Sequence, residues 1–132
     1  MAPIYPFREK VVILSADAGT NYLDHVQIRQ RRIFHYDHIT VENETSDYTK
    51  LLLGVLSEDE MHKYEEQHSP RKGILYPWHP RKDVTVLENE TLRAELQGCT
   101  SGDTLVMYVA GWYVILEKPK APAPAPEEEA EE

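Results

Sequence analysis

The chain of 132 residues has one cysteine, Cys99, so no intrachain disulfide can form and no thiolate cluster can hold a zinc ion. That excludes a disulfide-stapled secreted miniprotein. Long apolar runs are lacking as well. The longest near the start is Val11–Leu14, against the roughly 20 residues that cross a bilayer. The opening "MAPIYPFREKVVILSAD" puts prolines and charges where a leader peptide needs unbroken apolar sequence. The expectation is a soluble protein of the cytoplasm with no membrane partner. A basic surplus is also missing, since 14 Lys and Arg stand against 23 Asp and Glu for a formal net charge of −9. Direct nucleic-acid binding, which rests on a cationic surface, is not expected.

The negative charge is unevenly spread. Glu127, Glu128, Glu129, Glu131 and Glu132 carry five of the nine excess charges, which leaves −4 for residues 1–126. They close a low-complexity segment, "PKAPAPAPEEEAEE", in which alternating Ala-Pro favours an extended spacer and the glutamates repel one another. Residues 119–132 are therefore expected to form a disordered tail. Residues 1–8 are expected to be an extended N-terminal arm, because Pro3 and Pro6 bracket Ile4, Tyr5 and Phe7 and forbid a helix. Residues 9–118 remain as one domain.

Within that domain the period is two. "KVVILSA", "DYTKLLLGVL", "GILYPW", "DVTVLE", "TLRAELQG" and "DTLVMYVAGWYVILEK" are short β-branched or aromatic runs separated by turn residues. The fold class is all-β: an antiparallel β-sandwich or jelly roll of about eight strands. One short helix is expected at about residues 58–67. Ser57 and Glu60 have capping-box spacing there, and Met61, Tyr64 and His68 form an inward stripe. The stretch "HVQIRQRRIFHYDHITVEN" changes phase, with Val26 and Ile28 on one parity and Ile33, Ile39 and Val41 on the other. One unbroken pleat cannot do that, so a bulge or break is expected between Gln30 and Phe34. Gly111, inside an otherwise apolar strand, signals a bulge or a close backbone approach.

Candidate chemistry is sparse. His35 and His38 in "HYDH" have a spacing at which their rings diverge on a regular strand, so no metal ligand set and no cofactor are expected. Ser101 and Asp103 lie in "GCTSGD", which has turn glycines and no nucleophile-elbow motif. The chain is read as non-enzymatic. The repeated Glu-Asn-Glu-Thr at Asn43 and Asn89 is read as two polar bends at strand ends. Interface or binding candidates are Arg29, Arg31 and Arg32, whose guanidinium forks suit carboxylates of a neighbouring chain. The aromatics Tyr5, Phe7, Trp78, Trp112 and Tyr113 join them.

From Ile39 to Val114 the cadence resembles small β-sandwich proteins encoded among phage virion genes. The resemblance is carried by the segment Glu88, Leu92, Ala94, Gly98, Gly102, Asp103 and Leu105 before the last long strand. It implies a virion structural protein, such as a capsid decoration, cement or spike component. Such a protein is homo-oligomeric and contacts other capsid subunits. The alternative is a carbohydrate- or receptor-binding module that uses exposed tryptophan and tyrosine to meet a glycan.

Overall fold

A computed structural model describes residues 3–78 and 84–116; the expected tail at 119–132 and the first two residues of the expected arm lie outside them. The strands are β1 (Ile4–Ile13), β2 (Gly19–Asp24), β3 (Arg32–Asn43), β4 (Lys50–Ser57), β5 (Glu60–His68), β6 (Tyr76–Pro77), β7 (Val84–Val86), β8 (Thr91–Cys99) and β9 (Leu105–Ile115). Every pairing between them is antiparallel. One sheet, here sheet A, runs β1-β9-β3-β6, with β7 also paired to β3; sheet B runs β2-β8-β4-β5. β7 pairs Phe34–Tyr36 and β6 pairs Thr40–Val41, so the two short strands share the edge of β3 that β9 leaves free. This order is the double Greek key of an eight-strand jelly roll, with β6 and β7 together filling one strand position.

The core lies between the sheets and follows the period-two pattern. On β8, Leu92, Ala94 and Leu96 point inward and face Leu51, Leu53 and Val55 of β4 across the register. On sheet A the inward row is Leu105, Met107 and Val109 of β9 with Val41, Ile39 and Tyr36 of β3.

One expectation is corrected. No helix exists among the described residues, and residues 60–68 form strand β5. Ser57 and Glu60 face each other across a two-residue turn in which Glu58 (φ 53°) and Asp59 (φ 64°) are both left-handed, the geometry of a tight hairpin. The physical reason is β4. Its outer edge would leave a row of backbone groups unpaired, and β5 satisfies them where a helix could not. Residues 4–8 of the expected arm are extended, and they run on as the first half of β1. Ile4 pairs with Val114, and the ladder continues without interruption to Ile13 opposite Leu105. Pro6 is tolerated because β1 is an edge strand with one side open.

The phase change in the third stretch is present, but in two parts. Residues 25–31 form a connection between β2 and β3, in which Ile28 is buried and Val26 exposed. The bulge itself lies between Tyr36 and His38, opposite Gly111. Phe34 and Tyr36 point inward before it, and Ile39, Val41 and Asn43 point inward after it. At Gly111 the bulged backbone comes so close that a Cβ would collide with the His35 carbonyl oxygen. Gly54 plays the same part in sheet B, against the His62 carbonyl and a register shift between β4 and β5. A Gly111→Ala substitution is expected to lower stability by about 3 kcal/mol, the upper range for forced overpacking. The check is a urea midpoint that falls at unchanged slope.

Candidate functional site

The two outer faces of the sandwich differ in chemistry. Sheet B faces outward with paired charge. Arg93 donates two hydrogen bonds to Asp24, at 2.8 and 2.9 Å, and its guanidinium lies 4.4 Å from the centre of the Tyr22 ring. Lys50 sits 3.7 Å from Glu66 on the same face. On sheet A, Ile4, Ile33, Trp112 and Val114 gather apolar groups at one end of the outer face, while Arg8 and Lys10 of β1 and Glu42 of β3 flank Tyr108 and Val12 further along. Ile4 is 60% exposed.

Ala110 lies on the sheet A outer face between Tyr108 and Trp112, and its small side chain leaves a dent. Two shallow hollows meet there and share Arg8 and Ala110. One, of about 410 Å³, reaches His38, Thr40, Leu75 and Tyr108; the other, of about 450 Å³, reaches Pro6 and Asp37. The Asp37 bulge brings His35 and His38 to this same face, opposite Trp112 and Ala110. His35 stacks on Trp112 with ring centres 3.9 Å apart, and Tyr108 donates a hydrogen bond to Glu42 at 3.1 Å. No group of three His, Cys, Asp or Glu side chains is gathered to hold a metal ion among the described residues.

Two polar networks lie deeper. His25 is buried, with Nδ1 2.6 Å from the Tyr36 hydroxyl and Nε2 paired with Glu9 Oε1. Phe7 stacks over the imidazole at 5.7 Å. Burial, and next the Glu9 charge, hold the Tyr36 hydroxyl well above the ordinary tyrosine value, so it stays protonated. It can donate to Nδ1 while Nε2–H donates to Glu9, so each ring nitrogen has a partner. The relay runs from a partly exposed carboxylate to a phenol sealed from solvent. It can order the aromatic cluster, but it presents no reacting atom at a surface.

The second network is built on Asp103. Its carboxylate accepts from Asn43 Nδ2 (2.9 Å), Ser46 Oγ (2.7 Å) and the Thr100 amide (2.8 Å). Asn43 Oδ1 in turn accepts from the amides of Thr45 and Ser46. The two Glu-Asn-Glu-Thr copies therefore do different work. Asn89 (φ 69°) makes an exposed left-handed bend, while Asn43 is fully buried and ties the end of β3 to the start of β9.

A scan against models of known protein families and a search among curated proteins both return no match.

The residues expected at a surface are dispersed. Trp112 alone lies on the sheet A outer face, and Tyr113 points the other way, stacked 4.6 Å from Phe34. Tyr5 stacks on Tyr113 at 5.1 Å, and Phe7 packs against the core. Trp78 is 8% exposed. It stacks against Tyr64 of β5 at 5.6 Å and closes one side of the sandwich. Arg29, Arg31 and Arg32 occupy the turn that enters β3, where the Arg32 amide donates to the Arg29 carbonyl (3.2 Å). Glu9, His25, Tyr108 and Ala110 were not singled out from sequence. For Tyr108 the signal was there, since it shares parity with Trp112 on one strand.

Burial alone would raise the Asp103 carboxyl, but the hydrogen bonds from Asn43, Ser46 and Thr100 outweigh it and hold the group below the ordinary value of 3.8. A depressed folded-state value means the network's stability is fully present above the unfolded value and is lost as pH falls through the folded one. An Asp103→Ala variant is expected to lose about 3 kcal/mol at pH 7. Its deficit against the wild type should narrow below about pH 4, in paired urea titrations.

Proposed function

We propose that the chain is a non-enzymatic structural subunit of the virion type, a decoration, cement or spike component. It packs on further copies of itself or on other subunits through the outer face of sheet A. The observation that carries this reading is the asymmetry of the two outer faces. Antiparallel sheets ordinarily alternate apolar-in and polar-out, and sheet B does so with ion pairs. Sheet A instead gathers Ile4, Ile33, Trp112 and Val114 at one end of its outer face, with Arg8 and Lys10 of β1 beside them. Contiguous apolar surface rimmed by polar groups marks association sites. Two weaker supports are analogies: the jelly roll serves in capsid domains among others, and the sequence resembles phage virion proteins.

A second reading rests on the dent at Ala110. A hollow lined by the Tyr108 ring with Arg8 and His38 at its sides, one outward position along β9 from Trp112, suits a sugar ring better than a flat protein surface. The same experiment separates the two. Size-exclusion chromatography with light scattering is expected to show an oligomer for the wild type, and a Trp112→Glu variant is expected to dissociate at least tenfold more readily with an unchanged denaturation midpoint. A wild type that stays monomeric and binds glycans on an array would overturn the assembly reading in favour of the second.

A further inference from the structure

The turn that enters β3 gathers three arginines without anionic partners. Arg29 is exposed and Arg31 and Arg32 are half-buried, yet no carboxylate pairs with any of the three side chains among the described residues. The carboxylate nearest in the bonding pattern, Glu88, accepts from the Arg31 backbone amide (2.8 Å) and not from its guanidinium. The turn is held in shape by the left-handed Arg31 (φ 61°). The Arg32 guanidinium lies 5.9 Å from the centre of the Tyr113 ring. Beside these groups is a cleft of about 410 Å³ lined by Val26, Gln27, Arg29, Arg32 and Phe34. Arg32 is half-buried in this cleft and Arg29 exposed beside it, and their guanidinium forks suit carboxylates.

The chain itself carries a suitable anion, and it leaves the described region beside the cleft. Ile115, the last residue of β9, pairs with Arg32, and the Leu116 amide donates to the Arg31 carbonyl (2.7 Å). Five glutamates follow at positions 127–129, 131 and 132, behind the Pro-Ala spacer of residues 119–126. A spacer of that composition spans about 25 Å when extended, at about 3.1 Å per residue. A reach of that order is enough to meet a neighbouring molecule.

We propose that the cleft at Arg29 and Arg32 binds the acidic segment Glu127–Glu132 of a second copy of this chain. The contact is a set of guanidinium–carboxylate pairs over an apolar floor of Val26 and Phe34. It goes beyond the sheet A face, uses side chains other than those of that face, and links copies in tandem.

The experiment is intermolecular paramagnetic broadening between two full-length proteins. One, at natural isotopic abundance, carries a nitroxide on E129C. Cys99 is buried, and burial pushes its thiol up, so the label goes to the introduced cysteine. The other is ¹⁵N-labelled with all five tail glutamates changed to Gln, so that its own tail does not compete. Amide signals from Gln27 to Phe34 are expected to lose several-fold in intensity, and to regain it in R29E/R32E, in R29Q alone in part, and at high salt. Unchanged intensities there, or losses that survive R29E/R32E in a protein whose remaining spectrum is native, would overturn the proposal. R29Q covers the case of misfolding, because Arg29 is exposed. Broadening is expected to persist in a W112E background. Its loss there would overturn an independent tail site, while a failure of the sheet-face reading alone leaves the broadening intact.

Discussion

The structure depends on one irregularity, the bulge at Asp37 against Gly111. β3 is paired along almost its whole length with β9, and its side chains must alternate. Without an extra residue, a strand that buries Phe34 and Tyr36 would turn Ile39, Val41 and Asn43 outward. The bulge resets the parity, so both halves of β3 feed the same core. The bulged backbone needs the space of a side chain on the neighbouring strand, and glycine is the only residue that leaves it.

Other features follow from that reset. Asn43 reaches the interior only because the second half of β3 is in the shifted phase, and there it meets Asp103 at the start of β9. Tyr36, in the unshifted half, reaches His25 and through it Glu9 of β1. On the opposite side of the sheet, His35 and His38 come to share the outer face, where a regular strand would have divided them. One inserted residue thus arranges a buried carboxylate network, a buried imidazole relay and the polar members of an otherwise apolar surface.

The two outer faces then assume different roles for a simple electrostatic reason. Sheet B's central strands carry Arg93 and Lys50 opposite Asp24 and Glu66 on the edge strands, and these pairs keep the face hydrated. Sheet A's central strand β9 carries Tyr108, Ala110, Trp112 and Val114 outward, with no such pairing between them. The charges of this face, Arg8 and Lys10 of β1 and Glu42 of β3, flank that row on the neighbouring strands.

Much of the fold was legible because period-two burial is a local property: the all-β class, the sandwich or jelly roll, most strands and the bend at Asn89 could be read residue by residue. A phase change and a reason for Gly111 were legible too: the turn at Gln30–Arg31 breaks the chain where a bulge or break was expected, and the bulge itself lies further on, at Asp37. The helix expected at about residues 58–67 is strand β5 because capping-box spacing and a tight hairpin both put Ser57 and Glu60 three apart. Only the unpaired edge of β4, supplied by distant strands, chooses between them. The same holds for the candidate site. Trp112 stood out in the sequence, but its neighbours Arg8, His38 and Ala110 come from three strands whose adjacency is a matter of sheet order. The sequence by itself determined which side chains could be buried and where the chain could bend. The tertiary structure decided which of them meet, because pairing partners, register and the face left uncovered are long-range properties that no local period encodes.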